Sequence, residues 1–97
     1  MSFPLVSVIV LGWGGEPYVA RCLNALTTQT YERCEIIVVD NASPDRTASI
    51  VETWFPQVRL IRTGRNLGVA GGNNAGFRAA SGDILILTNV DTEPRPD

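Results

Sequence analysis

Lysine and histidine are both absent from this chain of 97 residues, whose eight basic residues are all arginine. The absence of histidine excludes histidine metal sites and histidine general bases, and the absence of lysine excludes Schiff-base chemistry. Any acid, base or metal-binding role therefore falls to carboxylates, amides and hydroxyls. The net charge of -2 gives no reason to expect a nucleic acid or an anionic membrane surface as a partner.

Cysteine is scarce, and long apolar runs are missing. Cys22 and Cys34 lie too far apart for a CxxC motif, and we expect both to be reduced packing residues. No apolar run approaches the roughly 18 residues of a membrane span, and the N-terminus has no basic region followed by an apolar core. We therefore expect a cytoplasmic protein without a membrane span, forming one domain or part of one.

Strand and helix patterns alternate along the chain. Short apolar runs at 5–11, 35–40, 58–62 and 84–87 predict four strands. Helical spacing begins at Pro17, recurs around 50–54, and extends to Ala80 after a loop at 63–72 that is rich in glycine and asparagine. This order predicts an α/β fold: an open parallel sheet, βαβαβαβ, joined by right-handed crossovers.

The predicted strands differ in how polar they are. Arg59 and Arg62 flank the apolar centre of the third strand, which favours an edge position. The other three strands have the continuous apolar sequence typical of interior strands. The simplest strand order is 3-2-1-4, with a switch point between strands 1 and 4. Ligands of open α/β sheets bind beside such a switch, at the carboxyl ends of the strands.

Polar side chains follow two strands at that rim. Asn89 and Asp91 come after strand 4, and their oxygens suit Mg²⁺ or Mn²⁺, for which one carboxylate plus substrate phosphates suffices. The alternative for this pair is an ordinary turn. Asp40 and Asn41 end strand 2, where a carboxylate can accept a hydrogen bond from a nucleobase or a ribose hydroxyl. The alternative for Asp40 is a cap on the next helix.

The segment 65–76 combines glycine with asparagine and arginine. Glycine inside a helix costs roughly 1 kcal/mol relative to alanine, so a cluster of glycines needs a reason. One reason is close approach of the backbone to an anionic ligand, whose candidate partners are Arg65, Asn66, Gly72 and Asn73. The other is tight packing of a helix on the sheet.

The loop after strand 1 nearly spells the GxGxxG fingerprint of dinucleotide-binding proteins. Gly12 and Gly14 match it, but Pro17 takes the place of the third glycine. Glu16 would also put a negative charge where the pyrophosphate should sit. Both departures argue against a dinucleotide site.

Taken together, these motifs resemble the nucleotide-binding half of family 2 glycosyltransferases, which have the GT-A fold. Residues 6–11 resemble the opening strand of that family, and 39–43, Val-Asp-Asn-Ala-Ser, resemble its second-strand signature. Residues 66–76 resemble its third motif, and 87–92 stand where the family carries its DxD-type metal motif. Four motifs in this order extend the resemblance over nearly the whole chain.

The resemblance implies a role for each candidate residue. Asp40 would contact the donor base, and Asn41 in the same signature would also bind the nucleotide sugar. The base and ribose pocket would be lined by Gly12, Trp13, Gly14 and Glu16. Arg65, Asn66, Gly72 and Asn73 would lie near the ribose and diphosphate. Asp91 would bind Mg²⁺ or Mn²⁺, with Asn89 as a weaker ligand. The implied reaction is an inverting, metal-dependent transfer of a sugar from a UDP- or dTDP-linked donor to an acceptor hydroxyl.

The resemblance also implies what lies elsewhere. The acceptor-binding half and the general base would follow Asp97, so no catalytic residue is expected within the chain. Residues 1–97 would be the nucleotide-sugar-binding part of a Rossmann-like GT-A domain, truncated after the fourth strand, which binds the donor nucleotide without turnover. The exposed fourth strand would then drive homo-oligomer formation. Two alternatives stay open: a non-catalytic nucleotide-binding module, and a structural or interaction domain with the same fold.

Overall fold

The structure is a computed structural model that describes residues 4–28 and 32–90. Its elements are β1 (Val6–Gly12), α1 (Glu16–Thr27), β2 (Cys34–Asp40), α2 (Thr47–Trp54), β3 (Arg59–Arg62), α3 (Gly68–Ala79) and β4 (Ile84–Asn89). The four strands form one parallel sheet in the order β3-β2-β1-β4. The predicted α/β architecture and strand order are therefore confirmed.

The sheet is buried on both faces at its centre. Val8 and Val10 of β1 pack on one face with the buried side chains of α1 and α2. Ile9 and Leu11 pack on the other face with Ile37 and Val39, together with alanines of α3. Because successive side chains of a strand point to opposite faces, a strand covered on both sides must be apolar throughout. This accounts for the continuous apolar sequence of β1 and β2.

Helix α3 lies close to the sheet because glycines face it. A Cβ on Gly76 would come within 2.5 Å of Ile9 Cγ2, and a Cβ on Gly72 would overlap the Leu11 side chain. Close packing against the sheet is thus one reason for these glycines, which is the alternative to ligand binding given in the sequence analysis. The helix also begins at Gly68, so the predicted loop at 63–72 was too long. Just before the helix, the Asn66 Oδ1 accepts the Gly68 N–H at 2.8 Å.

Strand β4 lies at the edge of the sheet beside β1. Its apolar side chains from Ile84 to Leu87 are between 44% and 48% exposed. The prediction of an interior position from its apolar sequence is therefore wrong for this chain, whereas the edge position follows from the confirmed strand order.

The two cysteines are free thiols. Cys22 is buried and Cys34 is half-buried, and burial raises the pKa of both thiols. A raised pKa keeps a thiol protonated and unreactive, so the two side chains fit the predicted packing role. In the portion of the chain that the structure describes, no helix has the length and hydrophobicity to cross a membrane.

Candidate functional site

An open pocket of about 290 Å³ lies at the carboxyl end of the sheet, where β1 and β4 end side by side. This is the predicted switch point. Four of the residues predicted from the sequence line it together: Trp13, Asn41, Asn66 and Asn89. Four further lining residues were not among the predicted site residues: Leu11, Gly68, Val69 and Val90. They are apolar or glycine, and their sequence pattern indicates packing rather than a site.

The loop between β1 and α1 is tied to the loop that follows β2. Gly14 has a φ of +67°, and its N–H donates to Ser43 Oγ at 2.9 Å. The Asn41 N–H donates to the Gly12 carbonyl oxygen at 2.8 Å. Trp13 lies between these two attachments, 57% exposed and on the pocket. The loop is thus held at both ends while it presents an indole ring to the pocket.

Val90 explains why glycine recurs in this loop. The Val90 side chain is buried, and a Cβ on Gly15 would overlap it, while a Cβ on Gly12 would lie 3.3 Å from its Cγ1. The Val90 N–H also donates to the Leu11 carbonyl oxygen at 3.0 Å. Glycine at 12 and 15 therefore lets the end of β4 close over the end of β1. Gly14, the second glycine that matches the dinucleotide fingerprint, has a different cause: a Cβ there would meet nothing within 4 Å, but its φ is positive.

Asp40 is buried at the end of β2, 5% exposed. Its Oδ1 accepts the Ser43 N–H at 3.3 Å, which is a turn contact and not the helix cap given as the alternative to a ligand role, because α2 begins only at Thr47. Its carbonyl oxygen accepts the Thr63 N–H at 3.1 Å and so connects β2 to the end of β3. The backbone of Asp40 thus holds the loop, and the contact between its carboxylate and a base stays a prediction.

Glu16 engages Arg46 instead of lining the pocket. Its carboxylate accepts the Arg46 backbone N–H at 2.9 Å and pairs with the Arg46 guanidinium at 3.0 Å. Both hydrogen bonds lower the pKa of Glu16 below its usual 4.5, and the one from the Arg46 backbone N–H has the larger effect. The Glu16 N–H in turn donates to Asp45 Oδ2 at 3.1 Å. This carboxylate therefore joins the starts of α1 and α2.

Three of the other predicted residues, Arg65, Gly72 and Asn73, are not among the residues that line the pocket. Arg65 is exposed on the loop between β3 and α3, and Gly72 and Asn73 follow within α3. Asp91 lies outside the described residues, so its metal role stays a prediction. Asn89 is exposed at the pocket rim. Within 4–28 and 32–90, no group of three or more acidic or cysteine side chains could hold a metal.

Comparison with known proteins agrees with this arrangement. Residues 7–97 match the model of glycosyl transferase family 2. The chain belongs to glycosyl transferase family 2. It is 37% identical over 90 residues to EpsJ of Bacillus subtilis, described as an uncharacterized glycosyltransferase, with 91% of this chain and 26% of that protein covered. It is 33% identical over 98 residues to the glycosyltransferase AglE of Haloferax volcanii, with coverages of 96% and 32%.

Solved structures confirm the GT-A, Rossmann-like fold. A mannosyltransferase from Pyrobaculum calidifontis, solved in complex with GDP-Man and Mn²⁺, superimposes with a TM-score of 0.85 at 32% identity over 94% of this chain and 28% of its own. TarS of S. aureus in complex with UDP-GlcNAc gives 0.81 at 29% identity, with coverages of 90% and 26%. The chain thus spans roughly a quarter to a third of the length of these relatives, as their coverages state.

Proposed function

We propose that the chain is the nucleotide-sugar-binding part of a glycosyltransferase that transfers a sugar from a nucleoside diphosphate to an acceptor hydroxyl. The observation that carries the proposal is the pocket at the switch point, to which three loops and the end of β4 contribute Trp13, Asn41, Asn66 and Asn89. Its position is where open α/β sheets bind ligands. Family membership and two similar proteins that hold nucleotide sugars support this assignment.

The pocket suggests how a donor nucleotide lies in it. The exposed indole of Trp13 offers a face on which a base stacks, and stacking of this kind is worth about 1–3 kcal/mol per base. Asp40 accepts a hydrogen bond from the base, and Gly12, Gly14 and Glu16 shape the loop around it. The ribose and diphosphate lie along the start of α3, beside Asn66, Gly72 and Asn73, with Arg65 as the countercharge. The donor is a UDP- or dTDP-linked sugar.

A divalent cation completes this site. Asp91 holds Mg²⁺ or Mn²⁺ together with the donor phosphates, and the amide oxygen of Asn89 is a weaker neighbouring ligand. The described side chains fit such an ion only as part of a set that the phosphates complete, since they offer a single amide oxygen at the rim. When bound, the cation stabilises the charge that develops on the leaving diphosphate.

The proposed transfer inverts the anomeric carbon, because the acceptor hydroxyl attacks it from the side opposite the diphosphate. The general base for this attack comes from outside residues 1–97, so this chain binds the donor nucleotide without turning it over. The share of its relatives that the chain spans, roughly a quarter to a third, supports this division of labour. We propose that the transfer takes place in the cytoplasm, with a nucleotide sugar of that compartment as the donor.

Calorimetric titration of the chain with UDP, dTDP and GDP, each with and without Mn²⁺, tests the proposal. We expect binding to at least one nucleotide to tighten when Mn²⁺ is present, and Asp91→Ala to remove this metal dependence. Asp97→Ala is the matched control, because it removes a carboxylate from the same terminal segment. A wild-type chain that binds none of the three would reject the function, and unchanged metal dependence in Asp91→Ala would reject the metal assignment alone.

A further inference from the structure

The side-chain amide of Asn41 lies between the loops that form the pocket, and its polar atoms bind protein groups. Its Oδ1 accepts the Leu67 N–H at 2.9 Å, and the Thr63 hydroxyl lies 3.2 Å from the same oxygen. Its Nδ2 donates to the Gly68 carbonyl oxygen at 3.0 Å. Asn41 is only 3% exposed. The side chain thus uses both ends of its amide within the protein.

These contacts join three parts of the site. Leu67 and Gly68 are the residues at which α3 begins, and Gly68 has a φ of +76°. The backbone N–H of Asn41 donates to the Gly12 carbonyl oxygen at the end of β1. Asn41, the first residue after β2, therefore fixes both the end of β1 and the start of α3. Asp40, the last residue of β2, makes a different link, because its carbonyl oxygen accepts the Thr63 N–H beyond the end of β3.

The link sets the distance between the two walls of the pocket. Trp13 follows Gly12 on one wall, and Asn66 precedes Leu67 on the other. Since a buried amide that loses its partners is costly, the three loops stay in one arrangement before a ligand arrives. A ligand that meets a preformed site does not have to order the loops itself, which raises its affinity.

We infer that Asn41 is a positioning residue for the donor nucleotide, which holds the start of α3 against the end of β1 without contacting the ligand through its own amide. This inference rests on the proposed function and changes the role of Asn41 from a binding contact to a pin between loops. It separates Asn41 from Asn66 and Asn89, which lie exposed at the rim.

Amide hydrogen exchange in the nucleotide-free chain tests the pin directly. In Asn41→Ala the Leu67 amide loses its acceptor, and we expect its exchange to accelerate roughly tenfold while the amides of β1 and β2 keep their protection. Asn41→Asp keeps an oxygen for the Leu67 N–H but sets a second oxygen against the Gly68 carbonyl, which repels it, so we expect the Leu67 amide to exchange faster in this variant too. Asn24→Ala, which removes an exposed amide from α1, is the matched control and should change neither.

Titration of the same variants with UDP and Mn²⁺ connects the pin to binding. We expect the affinity of both Asn41 variants to fall below that of the wild type, in step with the exchange of Leu67. A loss of affinity with unchanged Leu67 exchange would make Asn41 a direct ligand contact and overturn the inference, as would faster exchange with unchanged affinity. If Asn41→Ala loses protection throughout the sheet, Asn41→Asp decides by the same two criteria. If the wild-type chain binds no nucleotide, the proposed function fails, and the exchange data still show whether the pin exists.

Discussion

Ala42 adopts a backbone conformation that alanine seldom takes. Its φ is +64°, in the left-handed region, where an L-residue with a Cβ pays about 1–2 kcal/mol. Its two neighbours hold it there, because Asn41 binds the start of α3 and Ser43 Oγ accepts the Gly14 N–H. Backbone strain therefore sits between two anchors of the pocket, which is where such strain tends to be found in functional loops.

Ala42→Gly should stabilise the chain by about 0.5–1 kcal/mol, since glycine takes a positive φ without the steric penalty and loses part of that gain to its greater freedom when unfolded. Urea denaturation of the two proteins measures the difference. Ala20→Gly is the matched control, because Ala20 is exposed within α1, where the same substitution should destabilise by about 1 kcal/mol. Equal destabilisation by both would contradict the argument from φ.

Asp40 offers a second test at this scale, because its backbone and side chain have separable roles. Asp40→Ala should weaken UDP binding about tenfold to a hundredfold if the base loses its acceptor, with the fold kept by the carbonyl bond to Thr63. Asp40→Asn keeps an oxygen for the Ser43 N–H and should remain stable, yet bind less tightly. Titration and urea denaturation of both variants decide. Loss of stability with undiminished affinity would mean that the Asp40 carboxylate serves only the turn after β2.

At the scale of elements, carboxylates join segments that are distant in sequence. Glu16 and Asp45 cross between the starts of α1 and α2 at one end of the sheet. At the opposite end, the Glu35 carboxylate accepts the Ser7 hydroxyl and, at 2.6 Å, the Ser81 N–H. The Gly82 N–H donates to Ser7 Oγ at 2.8 Å, so β4 enters the sheet at a fixed point. Both ends of the parallel sheet are thus fastened by side chains.

These carboxylates should make the free energy of unfolding depend on pH in the acidic range. The Arg46 N–H lowers the pKa of Glu16, and the Ser7 hydroxyl followed by the Ser81 N–H lowers the pKa of Glu35, both from 4.5. Burial raises the pKa of Asp45, but hydrogen bonds from Thr47 and Glu16 outweigh it and lower the pKa from 3.8. A lowered folded pKa contributes stability that is complete above the unfolded value and is lost as the pH falls through the folded one.

We therefore expect the free energy of unfolding to decrease as the pH falls below about 4.5, measured by urea denaturation between about pH 6 and pH 3. Glu16→Gln should flatten part of this dependence. Arg46→Ala is the informative comparison, because it removes the guanidinium and keeps the backbone N–H that contributes most to the shift. It should flatten the dependence less than Glu16→Gln does. A stability that is level through this range would contradict the role of these contacts.

What the sequence could predict depended on local pattern. The apolar sequence of β1 and β2 and the breaks between elements predicted the element order. The polarity of β3 predicted its edge position, whereas the apolar sequence of β4 wrongly indicated an interior one. Contacts across the fold could not be predicted in this way. The approach of Val90 to Gly15, and of Glu16 to Arg46, joins residues that lie far apart in sequence, and no spacing rule brings them together. Asn41 illustrates the limit, because an asparagine after a strand can contact a ligand, form a turn or hold two loops together, and the sequence does not distinguish these roles.

At the scale of the whole molecule, the sheet has two unlike edges. At one edge, β3 has charged Arg59 and Arg62 at its ends, of which Arg62 pairs with Glu52 of α2 and Arg59 donates to the Ala79 carbonyl oxygen. At the other edge, β4 exposes an uncharged run of two isoleucines and two leucines on both of its faces. Natural edge strands carry charges, prolines or bulges that discourage pairing with another chain, and this run has none of them.

The 97-residue chain should therefore self-associate through β4, with β4 of one copy antiparallel to β4 of another across a two-fold axis. Light scattering over a concentration series should show a mass above that of the monomer. Leu85→Lys should restore the monomer, because a lysine on an edge strand opposes pairing and Leu85 is exposed enough to accept it without loss of the fold. Trp54→Lys is the control, since Trp54 is 73% exposed on α2 and away from this edge, and it should leave association unchanged. A wild-type chain that stays monomeric on concentration would show that this edge does not pair, and equal effects of the two lysines would place the contact elsewhere.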